Sequence, residues 1–334
     1  MKTQVAVLAG GDSGEYEVSL KSADMVMRTL DPQWFQPWLV HVKGGKMEVH
    51  TPDGIFPVSN QGFGFQGKEG YVAFDVAYNI VHGTPGEDGK LQGWLDVQKV
   101  PYTSPGVLAS ALTMDKYLTK LLVKTLRIPV AKGVLVRATD DVIQIDAMVE
   151  KLGLPCFVKP NHGGSSVATF KIKEKKDLPE AIEAGFAVDD QVLVESFLPG
   201  TELSIGVLEV QGEMVVLPPT EIVPHGEFFD YTAKYEGASD EITPARIPVP
   251  TRKKLERYAV DIYRLLNLRG MVRIDFMWTG KELYFMEVNT IPGFSPASLV
   301  PQQIRAAGMK EQDVLTAIIF ETLRSTPEAE GAEG

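Results

Sequence analysis

Cysteine is almost absent from this chain of 334 residues: Cys156 stands alone, so no intrachain disulfide can form. Long apolar runs are missing as well, and nothing approaches the roughly 18 consecutive apolar residues that a membrane span needs. The opening Met-Lys-Thr-Gln-Val-Ala-Val-Leu-Ala-Gly holds one lysine and only about five apolar residues before its glycine, too few for a secretory signal. These shortages make a cytoplasmic chain with no membrane partner the expected reading. Positive charge is also in deficit. Lys and Arg number 33 against 44 Asp and Glu, a net −11, which argues against nucleic acid as a partner while leaving room for a local basic pocket. What is present is ordinary for a folded protein, with 44% hydrophobic and 23% charged residues, and the length allows two or three domains at about 100 to 200 residues each.

The chain opens on an apolar run at 4–9 that meets Gly10-Gly11-Asp12-Ser13-Gly14, followed by helical spacing at Val18, Leu20, Met25, Val26 and Leu30. That is strand, glycine turn, helix. Apolar runs at 38–42 and 72–81 continue the alternation around a Gly- and Phe-rich stretch at 43–70 that reads as a hairpin or long loop, so the first hundred residues form an open α/β domain. Helical patterns at 91–97 and 108–126 lead into a second domain starting near 105. It continues with a strand at 134–136, a helix at 140–152, a strand at 156–158, a glycine loop at 161–166, a strand at 167–172, a helix at 177–184 and a strand at 192–195. Pro199-Gly200 marks the next boundary. Strands at 203–210 and 213–218, a polar aromatic stretch at 225–245, a helix at 251–266, a hairpin and a last helix at 310–324 follow. The tail 326–334 lacks apolar periodicity and reads as disordered. Cys156, flanked by Leu154, Pro155, Phe157 and Val158, reads as a packed strand residue.

The hairpin carries the densest chemistry. Strand period two puts Arg273 with Asp275 on one face and Glu287 with Asn289 on one face. A three-residue loop, Gly280 to Glu282, would set Asp275 opposite Glu287 and Arg273 opposite Asn289. Two carboxylates and an amide are the hard oxygen donors that Mg2+ takes together with substrate phosphates. A solvated hairpin with ordinary ion pairs is the competing reading. Asn161-His-Gly-Gly-Ser165-Ser166-Val-Ala follows Lys159-Pro160 and can expose successive backbone N–H groups to a phosphate, although it is not a Walker A sequence. Lys159 closes an apolar strand and so needs an anionic partner. Lys116 near a helix start is a weaker signal. Glu195 ends a strand, with Glu202 beyond a Pro-Gly turn, a pair able to accept from an adenine amino group and a ribose or simply to be solvated. His82-Gly-Thr-Pro-Gly-Glu87-Asp-Gly lies directly after an apolar strand, where α/β proteins place ligand loops. Glu15 sits at a helix start, which favours carboxylates on its own account. Phe228-Phe-Asp-Tyr-Thr-Ala-Lys234-Tyr235 suits a lid or a packed surface loop.

Taken in order, these blocks resemble the D-alanine–D-alanine ligases of the ATP-grasp superfamily. The resemblance runs from Gly10 to Pro301 through Gly-Gly-x-Ser-x-Glu-x-Glu-Val-Ser, His-Gly-x-x-Gly-Glu-Asp-Gly, Met-Asp-Lys, Val-Lys-Pro with Gly-Ser-Ser, Asp-Tyr-x-Ala-Lys-Tyr, Arg-Ile-Asp and Glu-x-Asn-Thr-x-Pro-Gly. It implies an α/β chain, α+β in its ATP-grasp part, with three domains: 1–104 open and parallel, 105–197 carrying the phosphate loop, and 198–325 carrying the metal site and lid. It implies ATP as co-substrate, two Mg2+ ions or Mn2+ in their place, D-alanine as substrate and a homodimer. By the same resemblance Lys116 and Lys159 meet ATP phosphates, Glu195 with its neighbouring strand backbone the adenine and Glu202 the ribose, and Ser166, Phe197, Leu198 and Lys234 belong to the ATP site. Asp275, Glu287 and Asn289 hold metal. Glu15 faces the ammonium of the first D-alanine in a network with Ser165 and Tyr235, with His82 and Glu87 beside that substrate. Arg273 and the Gly293 N–H bind the oxyanion, and Ser298 and Leu299 meet the second substrate's carboxylate.

Residues 43–70 and the acidic tail exceed the shortest members of the family. Some relatives join D-alanine to D-serine or D-lactate, and the intact lid with Tyr235 favours D-alanine as the second substrate. A nucleotide-binding module without catalysis would show erosion at Arg273, Asp275, Glu287 or Asn289, and all four are intact.

Overall fold

A computed structural model of the chain describes residues 1–59, 62–164, 167–224 and 239–325. The first sheet has the order β4-β3-β2-β1-β7, from β1 (Thr3–Gly10), β2 (Phe35–Lys43), β3 (Lys46–Thr51), β4 (Gly54–Pro57) and β7 (Val76–Asn79). β1 runs parallel to both β2 and β7, while β3 and β4 add an antiparallel edge. Its central strand reads as one apolar run because both faces are covered. Val5, Val7 and Ala9 pack on α1 (Tyr16–Thr29), whereas Ala6 and Leu8 pack under Phe63, Phe65 and Phe74. The Gly- and Phe-rich stretch therefore supplies much of the second cover: the short hairpin of β5 (Gly64–Gly67) and β6 (Gly70–Ala73) carries Phe65, and Phe63 and Phe74 flank it. Gly10 ends β1 with φ +105, and a Cβ there would lie 2.7 Å from the Val42 carbonyl oxygen and 2.8 Å from the Tyr16 ring. Only glycine turns the chain at that point.

The buried stripe of α1 is Ser19, Ser22, Ala23 and Val26, which differs from the apolar spacing read in the sequence. The two serines belong inside because each has polar partners there. Ser19 Oγ accepts from the Gly10 N–H at 2.8 Å and donates to the Ile80 carbonyl at 2.6 Å.

After α2 (Lys90–Val97), the pattern at 108–126 resolves into α3 (Val107–Met114), α4 (Lys116–Val123) and one 3₁₀ turn. Asp115 interrupts it, its carboxylate capping α4 by accepting from the Leu118 N–H at 2.8 Å. The second sheet, β10-β9-β11-β8, is antiparallel and built from β8 (Gly133–Arg137), β9 (Cys156–Pro160), β10 (Phe170–Ile172) and β11 (Gln191–Ser196). Cys156, Val158, Val192 and Val194 face a core closed by α5 (Ile145–Leu152) and α6 (Leu178–Phe186). Cys156 is packing, as read from its neighbours. The alternate residues Phe157, Lys159 and Glu195 face the other way.

The third sheet is β15-β14-β12-β16-β17 with β13 against β12, from β12 (Thr201–Val210), β13 (Glu213–Val216), β14 (Thr220–Pro224), β15 (Ser239–Ile242), β16 (Met271–Trp278) and β17 (Leu283–Asn289). α7 (Val249–Leu265) covers one face through Leu255, Ala259 and Ile262. α8 (Leu299–Ala306) and α9 (Glu311–Ser325) follow, and Ile304, Leu315, Ile318 and Ile319 join the core that holds α1 and β1. Each such side chain contributes roughly 1.5–3 kcal/mol on burial. The last described helix is thereby fastened to the first strand and helix.

β16 and β17 pair with Arg273 opposite Asn289 and Asp275 opposite Glu287, as the sequence predicts, but by a different route. The tip pairs Trp278 with Leu283 and Phe276 with Phe285, so the loop is Thr279 to Glu282, and the register shifts between Asp275 and Phe276, leaving Met286 as an extra residue. That β-bulge puts Phe285 in the core beside Phe276 while Glu287 shares the face of Asp275. Phe285→Ala is expected to cost about 3–5 kcal/mol of stability with the denaturant slope unchanged. Chemical denaturation followed by circular dichroism checks this, and a loss below 1 kcal/mol would place the hairpin outside the core.

Candidate active site

The lateral row across the third sheet explains why the polar residues of β16 converge. Asp275 lies opposite Ser204 on β12 and Glu287 on β17, and Arg273 is two residues away on the same strand. Asp275 is only 3% exposed, and four donor groups hold it. Ser204 Oγ donates at 2.7 Å, Arg273 Nε and Nη2 at 3.0 and 2.8 Å, and Asn289 Nδ2 at 2.9 Å. Burial alone would weaken the guanidinium's hold on its proton. Asp275, Glu287 and Glu202 outweigh that and push the Arg273 pKa up, so the side chain stays charged. Asn289 gives its NH2 to Asp275, which directs its carbonyl oxygen elsewhere. The oxygens of this set, the Asp275 and Glu287 carboxylates and the Asn289 amide, are of the hard kind that Mg2+ takes, and those of Asp275 are engaged by Ser204, Arg273 and Asn289.

Between the second and third sheets lies a cavity of about 880 Å3, within the size range of a nucleotide site. Lys116, Lys159, Glu195, Phe197, Leu198 and Glu202 all line it. Lys116 donates from Nζ to the Gly163 carbonyl of the glycine loop. Lys159 Nζ lies 2.8 Å from Glu195 Oε2, which supplies the anion its apolar surroundings require. Sequence reading missed Lys120, which contacts the other oxygen of Glu195 and is 5% exposed. A lysine at i+4 from Lys116 on one helix was the available signal. Against burial, which would raise it, the two ammonium groups hold the Glu195 carboxyl well below the usual carboxylate range.

The glycine loop is tied down at His162. Its N–H donates to Asp189 Oδ2 at 2.6 Å, its ring Nδ1 lies 3.1 Å from the same carboxylate, and Nε2 lies 3.5 Å from Asp115. His162 and Asp189 form, with Asp190, the one close His and carboxylate cluster among the described residues, and the first two are bonded to each other. Ser165, Ser166, Lys234 and Tyr235 lie outside the described residues, as does most of the lid segment.

Glu15 stands at the first turn of α1 and lines the same cavity, its Oε2 3.4 Å from where a Cβ on Gly164 would lie and 3.9 Å from one on Gly83. It therefore sits where the first and second sheets' loops meet. His82 and Glu87 are placed behind it. The neutral His82 ring, kept so by burial, donates from Nδ1 to the Ile291 carbonyl at 2.8 Å and receives Ser22 Oγ at Nε2 over 3.3 Å. Ser22 Oγ in turn accepts from the Phe294 N–H at 3.1 Å. The Glu87 carboxylate accepts from the N–H groups of Gly83 at 2.8 Å and Ile291 at 3.1 Å and from Thr290 Oγ1 at 3.2 Å. Ser22 gave no signal in the sequence because serine is common in any helix. Together these contacts fix the 290–294 turn, and with it Gly293, against the first sheet. Ser298 Oγ, at the start of α8, accepts from the Ser295 N–H at 2.9 Å and would sit 3.1 Å from a Cβ on Gly293. Leu299 begins the helix, and its side chain is buried.

Two antiparallel sheets closing on a nucleotide-sized, lysine-lined cavity, with an acidic hairpin at one end, define an α+β protein of the ATP-grasp fold. Family models described as D-ala D-ala ligase N-terminus and D-ala D-ala ligase C-terminus match residues 4–105 and 122–320. A D-alanine–D-alanine ligase of Bacteroides fragilis is 42% identical over 321 residues, covering 96% of this chain and 99% of that protein. Among solved structures, the VanG D-Ala:D-Ser ligase from Enterococcus faecalis matches with TM-score 0.87 at 32% identity, over 96% of this chain and 100% of that one. The D-alanine–D-alanine ligase from Coxiella burnetii gives 0.86 at 28% identity, over 97% and 94%. The chain belongs to the D-alanine–D-alanine ligase family, a family of ATP-dependent ligases.

Burial and the nearby Glu15 raise the Glu87 carboxyl to about 7 despite its three donors. A carboxyl protonated more readily when folded adds stability that is complete below its unfolded pKa near 4.5 and is lost as pH rises through about 7. Melting temperatures should therefore fall between pH 5 and 8 in the wild type relative to Glu87→Gln, and parallel pH profiles would contradict the assignment.

Proposed function

We propose that the chain joins two D-alanine molecules at the expense of ATP, for peptidoglycan precursor synthesis in the cytoplasm. The observation that carries this reading is that Lys116, Lys120 and Lys159 line one cavity together with Glu287, the carboxylate paired across the hairpin with Asp275. A carboxylate is a poor electrophile. Phosphoryl transfer from ATP to the first D-alanine carboxylate forms an acyl phosphate and releases ADP; the amine of the second D-alanine then attacks the acyl carbon and phosphate leaves. Such a transfer needs positioned cations more than covalent help.

In this reading Lys116 and Lys159 hold phosphates, with Ser166 and Lys234 completing the set. Glu195 and the backbone at Phe197 and Leu198 take the adenine, and Glu202 takes the ribose. Glu15 receives the first ammonium, supported by Ser165 and Tyr235, and His82 and Glu87 fix the loop beside it. Arg273 and the Gly293 N–H stabilise the oxyanion, a role in which one donor is typically worth about 3–4 kcal/mol. Ser298 and Leu299, at a helix start, suit the second substrate's carboxylate. Asp275, Glu287 and Asn289 would hold two Mg2+ ions, or Mn2+, and bound metal would neutralise charge on the triphosphate.

A homodimer completes the proposal. Leu118, Leu121 and Leu122 stand exposed at helical spacing on α4, a face that a second copy would cover, and sedimentation at the monomer mass would exclude it. The likeness to a D-Ala:D-Ser ligase keeps D-serine as the competing second substrate. Phosphate release should require both D-alanine and Mg2+, with D-alanyl-D-alanine appearing by mass. Arg273→Ala should reduce turnover at least about 100-fold while nucleotide binding persists. Turnover indifferent to D-alanine, or a mixed D-alanyl-D-serine product under equal competition, would overturn the assignment.

A further inference from the structure

One carboxylate of the cavity, Glu195, is 5% exposed and meets two lysines. Lys120 and Lys159 share the single carboxylate of Glu195, one on each oxygen. The two lysines are not equivalent: the Lys120 side chain is 7% exposed and the Lys159 side chain 16%. Lys120 reaches Glu195 from α4, while Lys159 shares the site face of the second sheet with Glu195, opposite the core. Glu287, at the metal end, acts electrostatically on both lysines, so charge alternates along the cavity as Lys120, Glu195, Lys159 and Glu287.

An ammonium as enclosed as Lys120 is costly unless it keeps a partner, and Glu195 is the one it touches. Lys159, nearer the open space, is the cation that can be given up to a phosphate. We infer that Lys120 is a positioning residue which neutralises Glu195 on its own, fixing that carboxylate at the base end of the cavity and leaving Lys159 free for the phosphate chain. This rests on the proposed nucleotide site and adds a residue to it. Without Lys120, Glu195 and Lys159 form a one-to-one pair, so a nucleotide must compete with Glu195 for Lys159 and the carboxylate loses its fixed orientation toward the base.

The test is calorimetric titration of the full chain with Mg-ADP and Mg-GDP, which needs no turnover. Lys120→Met should bind ADP at least tenfold more weakly and narrow the ADP-over-GDP preference, whereas Lys120→Arg, which keeps the charge, should recover most of both. The KM for D-alanine should stay within twofold in both variants, a split that general loosening of the fold would not give. Should Lys120→Met fail to fold, Lys120→Arg decides through its pH profile. Burial lowers the Lys120 pKa to about 8, with Glu195, Lys159 and Glu287 the charged groups around it. Wild-type ADP affinity should then weaken above pH 8 while that of Lys120→Arg stays flat. Unchanged ADP affinity and base preference in Lys120→Met, or coincident pH profiles, would overturn the inference. Wild-type ADP binding without D-alanine-dependent turnover would instead refute the proposed reaction and leave this residue's role standing.

Discussion

The third sheet carries its chemistry on one face because β17 contains one residue more than β16 requires. In a regular ladder continued from the tip pair Phe276–Phe285, Met286 would oppose Asp275 and Glu287 would turn into the core beside Ile274 and Phe276. The bulge at Met286 absorbs the extra residue. Phe285 and Val288 still pack inward, and Glu287 and Asn289 return to the face of Asp275 and Arg273. A Glu in that core would be an unpaired buried charge, so the apolar pattern on one side and the polar pattern on the other jointly select the bulge.

What the bulge arranges on the sheet, the junction with the first sheet aims. Ile291 and Phe294 belong to the core that contains α1 and α9, and the intervening turn is pinned by Ser22, His82 and Glu87. Gly293 therefore takes its position from two regions more than 200 residues apart in sequence. Glu15, one turn before the buried stripe of α1, is carried by the same contacts toward Gly164. Candidate site residues from three sheets are held by packing that none of the sheets provides alone.

Much of this was legible in the chain itself. Ordered motifs located the hairpin, the glycine loop and the His82 loop, and apolar runs located most strands. The pairing of Asp275 with Glu287 was reached from a three-residue turn, whereas the real turn is one residue longer and the bulge compensates. No propensity marks a bulge between Phe285 and Glu287, because its cause is the tertiary demand of two faces. Lys120 escaped notice within a leucine-rich helix, where lysine ordinarily points to solvent. Ser22 escaped for the converse reason, and Ser19 was read only as the last residue of a motif: polar residues occupy the buried stripe, and only their distant partners justify it. Residues 43–70 read as a loop or hairpin, and their aromatic side chains turn out to close the second face of the first sheet.

Anomalous scattering from Mn2+ in crystals of the chain with ADP and D-alanine tests the arrangement most directly. Metal density is expected against Asp275, Glu287 and Asn289, with the adenine beside Glu195. Metal density confined to His162, Asp189 and Asp190, or none at the hairpin with ADP bound, would contradict it.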